Sequence, residues 1–163
     1  SGADDCTFKV WDMRILDAEA PFPISSKRFE MGVTCIQSHP RDTNLVLVGS
    51  YDEHVYLFDR RNMRRPTSDF GTGGGLWRMK WHPEEGNLLL LACMHNGFQI
   101  WDVHATASHF ERLIHYENHA SLAYGADWSL CSPHSSLPGP VVGTASFYDH
   151  KLCVWRPNLP SNT

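Results

Sequence analysis

The sequence of 163 residues lacks several features that mark large classes of protein. No apolar run is long enough to cross a bilayer, which predicts that the protein has no membrane partner. The formal net charge is −4 with histidine neutral, and this acidic balance predicts no nucleic-acid partner. We expect no secretory leader, and the sequence contains no Asn-x-Ser/Thr acceptor for glycosylation.

Cysteine is sparse, and no metal-binding spacing accompanies it. The chain has five cysteines, an odd number at wide spacing, with no Cys-x-x-Cys and no His-Glu-x-x-His: Cys6, Cys35, Cys93, Cys131 and Cys153. We therefore expect reduced, mostly buried thiols in a cytoplasmic protein, without a metal site or a cofactor.

Familiar catalytic motifs are also missing. The sequence has no Gly-x-Ser-x-Gly nucleophile elbow and no dinucleotide or P-loop fingerprint. The run Gly73–Gly75 is not followed by Lys-Ser/Thr, so we interpret it as a flexible connection and not as a phosphate cradle. By local motif alone, the chain is a binding scaffold and not an enzyme.

One sequence motif, which we call the repeated phrase, occurs four times. It consists of a polar turn followed by a strand in which inward-facing and outward-facing residues alternate, and it ends in an aromatic residue. The aromatic residues are Trp11, Phe58, Trp101 and Trp155, at intervals of 47, 43 and 54 residues. A period of about 40–45 residues that ends in Trp-Asp is typical of the blades of a WD-repeat β-propeller. We therefore predict an all-β fold with repeats ending near residues 12, 59, 102 and 156.

The remaining segments complete this pattern. Each repeat supplies a first strand, a His-Pro or loop connection and an apolar second strand, as in Val33–Ser38 followed by Leu45–Val48. Four arginines between Arg60 and Pro66 fill a hairpin turn, which we expect to be solvated. Residues 131–140 are rich in Ser, Pro and Gly and predict a loop insertion.

The repeat count predicts an incomplete arc of three blades plus part of a fourth, over residues 1–156, with a disordered tail at 157–163. A propeller has about 4–8 four-stranded blades, and an open arc leaves exposed sheet edges. We therefore expect this chain to be the C-terminal part of a longer propeller, and the alternative is that two or more copies assemble into a ring.

The turns of the repeated phrase project from one face and carry His54, His95 and His150. The segments that lead into the first strands bring Arg78 and Tyr124 towards the same face. Histidine, arginine and tyrosine around a funnel could perform acid–base chemistry near pH 7. The structural alternative is that the histidines are merely exposed turn residues, and that the aspartates six residues before the aromatic (Asp5, Asp52 and Asp149) brace the turns. His119 is expected to form a structural hydrogen bond within its own blade.

Seven segments together go beyond a generic WD repeat: Gly32–Pro40, Gly49–His54, Arg61–Met63, Gly74–Pro83, Ala92–Phe98, Tyr124–Trp128 and Ser146–His150. Their combination resembles the diphthine methyl ester hydrolases, WD-repeat proteins of diphthamide biosynthesis, and the resemblance extends from Gly2 to Trp155. The sequence departs from the generic repeat at Phe58 (for Trp), His95 (for Asp) and Arg156 (for Asp).

The resemblance implies hydrolysis of the methyl ester of methylated diphthine on translation elongation factor 2, which gives diphthine. It leads to the hypothesis that His54 or His95 is the base and Arg78 the oxyanion or carboxylate partner, with Trp77, Tyr124 and His150 binding the substrate. Aromatic residues, among them also Tyr51 and Tyr148, could hold its quaternary ammonium. The alternative is a non-catalytic propeller that docks a protein partner. The segment alone carries only part of the funnel, so the activity assay requires a full-length protein.

Overall fold

The computed structural model describes residues 1–15, 21–104, 109–129 and 139–159. These ranges contain a short 3-10 turn (Met13–Ile15) and thirteen β-strands in four antiparallel sheets, within which the strands pair in chain order. The first sheet contains β1 (Thr7–Val10) and β2 (Ser25–Arg28). The second contains β3 (Val33–Ser38), β4 (Leu45–Ser50), β5 (His54–Asp59) and β6 (Ser68–Gly71). The third contains β7 (Arg78–Trp81), β8 (Leu88–Ala92), β9 (Phe98–His104) and β10 (His109–Tyr116). The fourth contains β11 (Gly125–Trp128), β12 (Val142–Ser146) and β13 (Lys151–Trp155).

This architecture confirms the predicted partial WD-repeat β-propeller. Two sheets have four strands, one has three and one has two, and the first strands of neighbouring sheets lie side by side, β3 against β7 and β7 against β11. Strand β10 was not predicted. Its pairing with β9 shifts register between Arg112 and Ile114, which breaks the alternation by which a strand is recognised.

The second strands are buried on both faces, as their uninterrupted apolar sequences predict. Successive side chains of a strand point to opposite faces. Leu45 and Leu47 of β4 accordingly pack into the core shared with the third sheet, whereas Val46 and Val48 pack into the core shared with the first. Burial on both faces therefore locks each central sheet between its neighbours.

The predicted His-Pro turns also form. The Nδ1 atom of His39 accepts hydrogen bonds from the backbone N–H groups of Arg41 and Asp42, at 3.1 and 2.9 Å. Nδ1 of His82 accepts them from Glu84 and Glu85, at 3.2 and 2.9 Å. Each histidine thus closes the turn between the first two strands of its sheet.

Two predicted segments lie mostly outside the described residues. The insertion at 131–140 is described only from Gly139, and the tail only to Leu159, whose side chain packs against the core between the third and fourth sheets. The expectations for these segments remain predictions. Among the described residues, no helix is long and apolar enough to span a membrane.

Candidate functional site

An open cavity of about 240 Å³ lies where the first strands of the second and third sheets begin. Its lining combines the turn before β1, the start of β3, the end of β4 and the start of β7: Asp4, Val33, Thr34, Tyr51, Trp77 and Arg78. The cavity therefore depends on the contact between sheets and belongs to no single repeat.

The run Gly73–Gly75 lets the chain pass close to the neighbouring turn. Gly74 and Gly75 are buried, and a Cβ atom at Gly74 would collide with the carbonyl oxygen of Cys93. A Cβ atom at Gly75 would lie 3.1 Å from the sulfur of Met94. The sequence predicts a flexible connection here, but the two buried glycines are required for close packing directly before Trp77.

Four aromatic rings form a continuous series across this face, and we call Tyr51, Trp77, Tyr124 and Tyr148 the aromatic arc. The ring centroids are 5.9 Å apart for Tyr51 and Trp77, 5.0 Å for Trp77 and Tyr124, and 5.9 Å for Tyr124 and Tyr148. Trp77 is 36% exposed, so part of its ring remains open to a ligand. Exposed aromatic faces attract cations, which gives the arc a chemical preference for a positively charged group.

Asp4 and Tyr51 meet at the rim of the cavity. A Cβ atom at Gly32 would lie 3.2 Å from both the Oδ1 atom of Asp4 and the Cδ2 atom of Tyr51, so both side chains approach this glycine. Burial and the Asp4 carboxylate raise the pKa of Tyr51 above its usual value, which keeps the phenol neutral at physiological pH. The carboxylate adds negative potential at the cation-attracting side of the cavity.

Arg78 provides a positive charge on the same cavity wall. Its side chain is exposed, and among the described residues its guanidinium has no hydrogen bond or ion pair. Burial raises the pKa of the nearby Cys35 thiol to about 11, although the Arg78 charge opposes this rise. Cys35 is therefore protonated at neutral pH and is not a nucleophile, whereas Arg78 is available for an anion.

His54 faces the outer strand of its own sheet. Its Nδ1 atom lies 2.9 Å from the carbonyl oxygen of Asp52, and its Nε2 atom lies 3.9 Å from Oδ2 of Asp69. The ring also stacks on Tyr56 at 5.8 Å. No described contact joins His54 to the residues that line the cavity.

His95 and His150 are exposed in the turns that flank the arc. The turn of His95 adjoins the cavity face through Met94, whose carbonyl oxygen accepts a hydrogen bond from the N–H of Ala123, directly before Tyr124. His150 lies in the turn that carries Tyr148 and has a positive φ of 53°. The sequence thus identified both turns, whereas Asp4 and Thr34 were not singled out, because no motif marks residues that meet only through packing between sheets.

The bracing role of the aspartates is confirmed. A carboxylate oxygen of each one accepts a hydrogen bond from the backbone N–H two residues later, in Asp5, Asp52 and Asp149. His119, whose side chain is 2% exposed, bonds to Asp149 at 3.0 Å and to Oγ1 of Thr144 at 3.1 Å. His119 is therefore structural, as predicted. Among the described residues, no cluster of three or more His, Cys, Asp or Glu side chains could hold a metal ion.

Comparison with known proteins confirms the resemblance inferred from the sequence. Residues 25–59 match the family described as WD domain, G-beta repeat. The chain is 46% identical over 144 residues to the diphthine methyltransferase of Mus musculus, an alignment that covers 86% of this chain and 29% of the relative. Over most of its length, this chain is thus similar in sequence to part of the diphthine methyltransferases.

Two further relatives carry the same name. The Dictyostelium discoideum diphthine methyltransferase homolog is 40% identical over 171 residues, covering 96% of this chain and 46% of the relative. The Homo sapiens diphthine methyltransferase is 44% identical over 132 residues, covering 79% and 28%. The chain thus spans less than half the length of these relatives. Their name specifies diphthine and a methyl group, but it does not specify ester hydrolysis.

Proposed function

We propose that this chain forms part of an enzyme of diphthamide biosynthesis that hydrolyses the methyl ester of methylated diphthine on translation elongation factor 2. One observation carries the proposal: Trp77, packed between two tyrosines, and the unpaired Arg78 line the same cavity. The names of the relatives support diphthine as the substrate class. Cytoplasmic location, where translation takes place, belongs to the same proposal.

The side chain of methylated diphthine carries a quaternary ammonium and a methyl ester a few bonds apart. A trimethylammonium group has no hydrogen to donate, so aromatic faces and nearby negative charge are the groups that can recognise it. The aromatic arc provides those faces, and the Asp4 carboxylate lies on the same cavity wall. With the cation at Trp77, the ester would lie towards Arg78, the next residue in the chain.

Hydrolysis requires a water molecule, a base and a donor for the oxyanion. The base removes a proton from water, the water oxygen attacks the ester carbonyl, and the tetrahedral oxyanion lies against the Arg78 guanidinium. The C–O bond to the methoxy group then breaks, and the protonated base returns its proton to give methanol. The other product is the carboxylic acid, which loses its proton to solvent and becomes the carboxylate of diphthine, with which Arg78 can also pair.

His95 is the better placed of the two predicted bases. Its turn contacts the segments that carry Trp77 and Tyr124, and its side chain forms no hydrogen bond with the described residues. His54 is engaged with Asp52 and Asp69 along the outer side of its sheet. We therefore assign the base to His95 and a contact with the substrate protein to His150, at the far end of the arc.

The proposal is tested by methanol release from methylated elongation factor 2, with the loss of the methyl group followed by mass spectrometry on the full-length protein. Arg78→Gln should lower turnover by about 100-fold, the typical effect of removing one oxyanion donor. Arg64→Gln is the matched control, because Arg64 is also exposed but lies in the turn between β5 and β6. If the parent protein released no methanol, the proposal would be overturned. If Arg78→Gln turned over the substrate at the parent rate, Arg78 would have no part in the reaction.

A non-catalytic scaffold is the second candidate. Among the described residues, no histidine contacts Trp77 or Arg78. The structure therefore does not place a base beside the proposed ester site, and this observation favours a scaffold. In that case the full-length protein would bind methylated elongation factor 2 stoichiometrically and release no methanol. The same assay therefore distinguishes the two functions.

A further inference from the structure

The turn between β12 and β13 projects two large side chains into solvent beside the aromatic arc. Phe147 is 71% exposed and Tyr148 is 59% exposed, and their ring centroids lie 5.2 Å apart in an edge-on arrangement. Tyr148 contacts Tyr124 and so joins this pair to the arc, while Phe147 extends the apolar surface outwards to His150, at 6.2 Å. We call Phe147 and Tyr148 the aromatic ridge.

The turn that carries the ridge is one residue longer than the turn between β4 and β5. Three residues separate β4 from β5, and four separate β12 from β13. The rest of the longer turn is tied down, since the Asp149 carboxylate accepts hydrogen bonds from the N–H groups of Ala120 and Lys151. The two exposed rings therefore stand on a base that is fixed by hydrogen bonds.

Exposed aromatic rings on a fixed base are suited to binding. Large apolar side chains in water mark interaction sites more often than chance, and aromatic residues are enriched at such sites. Little conformational entropy is lost when a ligand binds to a surface that is already ordered. The ridge is also continuous with the candidate site through the contact between Tyr148 and Tyr124. A polypeptide whose side chain enters the cavity would therefore lie close to the ridge.

We infer that the aromatic ridge is a docking surface for the polypeptide segment that flanks the modified side chain of the protein substrate. This inference rests on the proposed function. The occupant is a polypeptide that offers apolar side chains to Phe147 and Tyr148 while its modified residue enters the cavity. Phe147, which lies outside the aromatic arc, thereby contributes to recognition of the protein and not to the chemistry of the ester.

Two substrates separate these contributions in the full-length protein. One is the methylated protein substrate, and the other is betaine methyl ester, a small trimethylammonium methyl ester without a polypeptide. Phe147→Ala should raise KM for the protein substrate about tenfold, as expected for loss of one interface anchor, and leave kcat/KM for the small ester unchanged. Glu111→Ala is the control, because Glu111 is also exposed but lies on β10, the outer strand of the four-stranded third sheet, and it should leave KM unchanged for both substrates.

The outcomes for the ridge and for the ester chemistry are distinguishable when equilibrium binding of the unmethylated protein substrate is measured as well. Turnover with an unchanged KM in Phe147→Ala overturns the ridge and leaves the proposed function standing. If the parent shows no turnover but Phe147→Ala binds the protein substrate more weakly than the parent does, the ridge is supported and the ester hydrolysis is overturned. A lower melting temperature in Phe147→Ala with unchanged binding also overturns the ridge, because the ring would then be covered by the protein itself. Absence of both binding and turnover in the parent overturns both.

Discussion

The third and fourth repeated turns occupy equivalent places in the fold, yet they use the same position for different purposes. In the fourth turn, Asp149 accepts hydrogen bonds from two backbone N–H groups and bonds to His119. In the third, His95 stands at the equivalent position, six residues before the aromatic, and is exposed. One residue holds its turn together, and the other is left free to meet a ligand.

The third turn is braced from elsewhere. Gln99 is fully buried, and its side chain accepts a hydrogen bond from Nε1 of Trp101 at 2.8 Å and donates one to the carbonyl oxygen of Thr72 at 2.8 Å. Asn96 donates to the same carbonyl oxygen at 2.7 Å. The comparison teaches that a repeat can move its structural hydrogen bonds from the turn to the following strand, which leaves the turn position for function.

The largest expected effect is on the fourth turn. His119→Ala should lower the free energy of unfolding by about 2–3 kcal/mol, because Asp149 and Thr144 would both lose a buried partner. Chemical denaturation of the full-length protein measures this difference. His95→Ala is the paired control and should change the free energy by less than about 0.5 kcal/mol. Equal losses in the two variants would contradict the comparison.

Gln99→Met tests the substitute brace of the third turn. The variant keeps a similar side-chain volume but leaves Nε1 of Trp101 without its acceptor, so the free energy of unfolding should fall by about 1–2 kcal/mol. The same denaturation measurement applies. A variant as stable as the parent would mean that the third turn does not depend on Gln99.

His95→Asp restores the residue that is usual in this repeat type. Because Gln99 and Asn96 already brace the turn, we expect the free energy of unfolding to change by less than about 0.5 kcal/mol. Ester turnover should fall, since the aspartate cannot act as the proposed base near neutral pH in the same way as histidine. If the variant were clearly more stable than the parent and equally active, His95 would have no role in the reaction and would merely weaken the turn.

The smallest expected effect is on pH dependence. Burial raises the pKa of Asp149, but hydrogen bonds from Lys151, Ala120 and His119 outweigh it and hold the pKa below its usual value. A carboxyl group of this kind stabilises the fold above its unfolded pKa, and the contribution is lost as the pH falls through the folded value. The free energy of unfolding should therefore drop as the pH falls below about 5, through the unfolded and then the folded pKa, and it should drop less in Asp149→Asn.

Two half-buried aspartates contribute with the same sign to that drop. Arg14 and Arg61 hold the pKa of Asp12 and Asp59 at about 2. The informative quantity is consequently the difference between the parent and Asp149→Asn over the same pH range. Parallel pH profiles would show that Asp149 does not contribute.

Most of the fold could be predicted because the strands of each repeat are recognisable from the sequence of that repeat alone. The boundaries of β3 agree with the prediction to the residue, and β4 follows from an uninterrupted apolar run. Strand β10 escaped prediction because a bulge interrupts its alternation. The alternation of apolar and polar residues predicts a strand only where that strand is regular. It fails for β10, because the pairing of β10 with β9 shifts register at the bulge.

The candidate site was less predictable, because it forms between repeats. The sequence suggested Trp77, Tyr124 and Arg78 through the resemblance, and Trp77 does contact Tyr124 and line the cavity with Arg78. It could not tell that His54 turns towards Asp69 and not towards the cavity, since both directions are open to the first residue of a strand after a turn. The role of Asp4 depends on contact between sheets, which no single repeat encodes.

The measurement that tests the central claim most directly compares betaine methyl ester with its neutral isostere, methyl tert-butylacetate. For each ester, kcat/KM of the full-length protein is divided by the rate constant for hydrolysis by hydroxide, which removes the intrinsic difference in reactivity. If the aromatic arc binds the ammonium, the cationic ester should be preferred about tenfold, and Trp77→Leu should abolish the preference. Equal normalised values for the two esters, or a preference that survives in Trp77→Leu, would contradict the account.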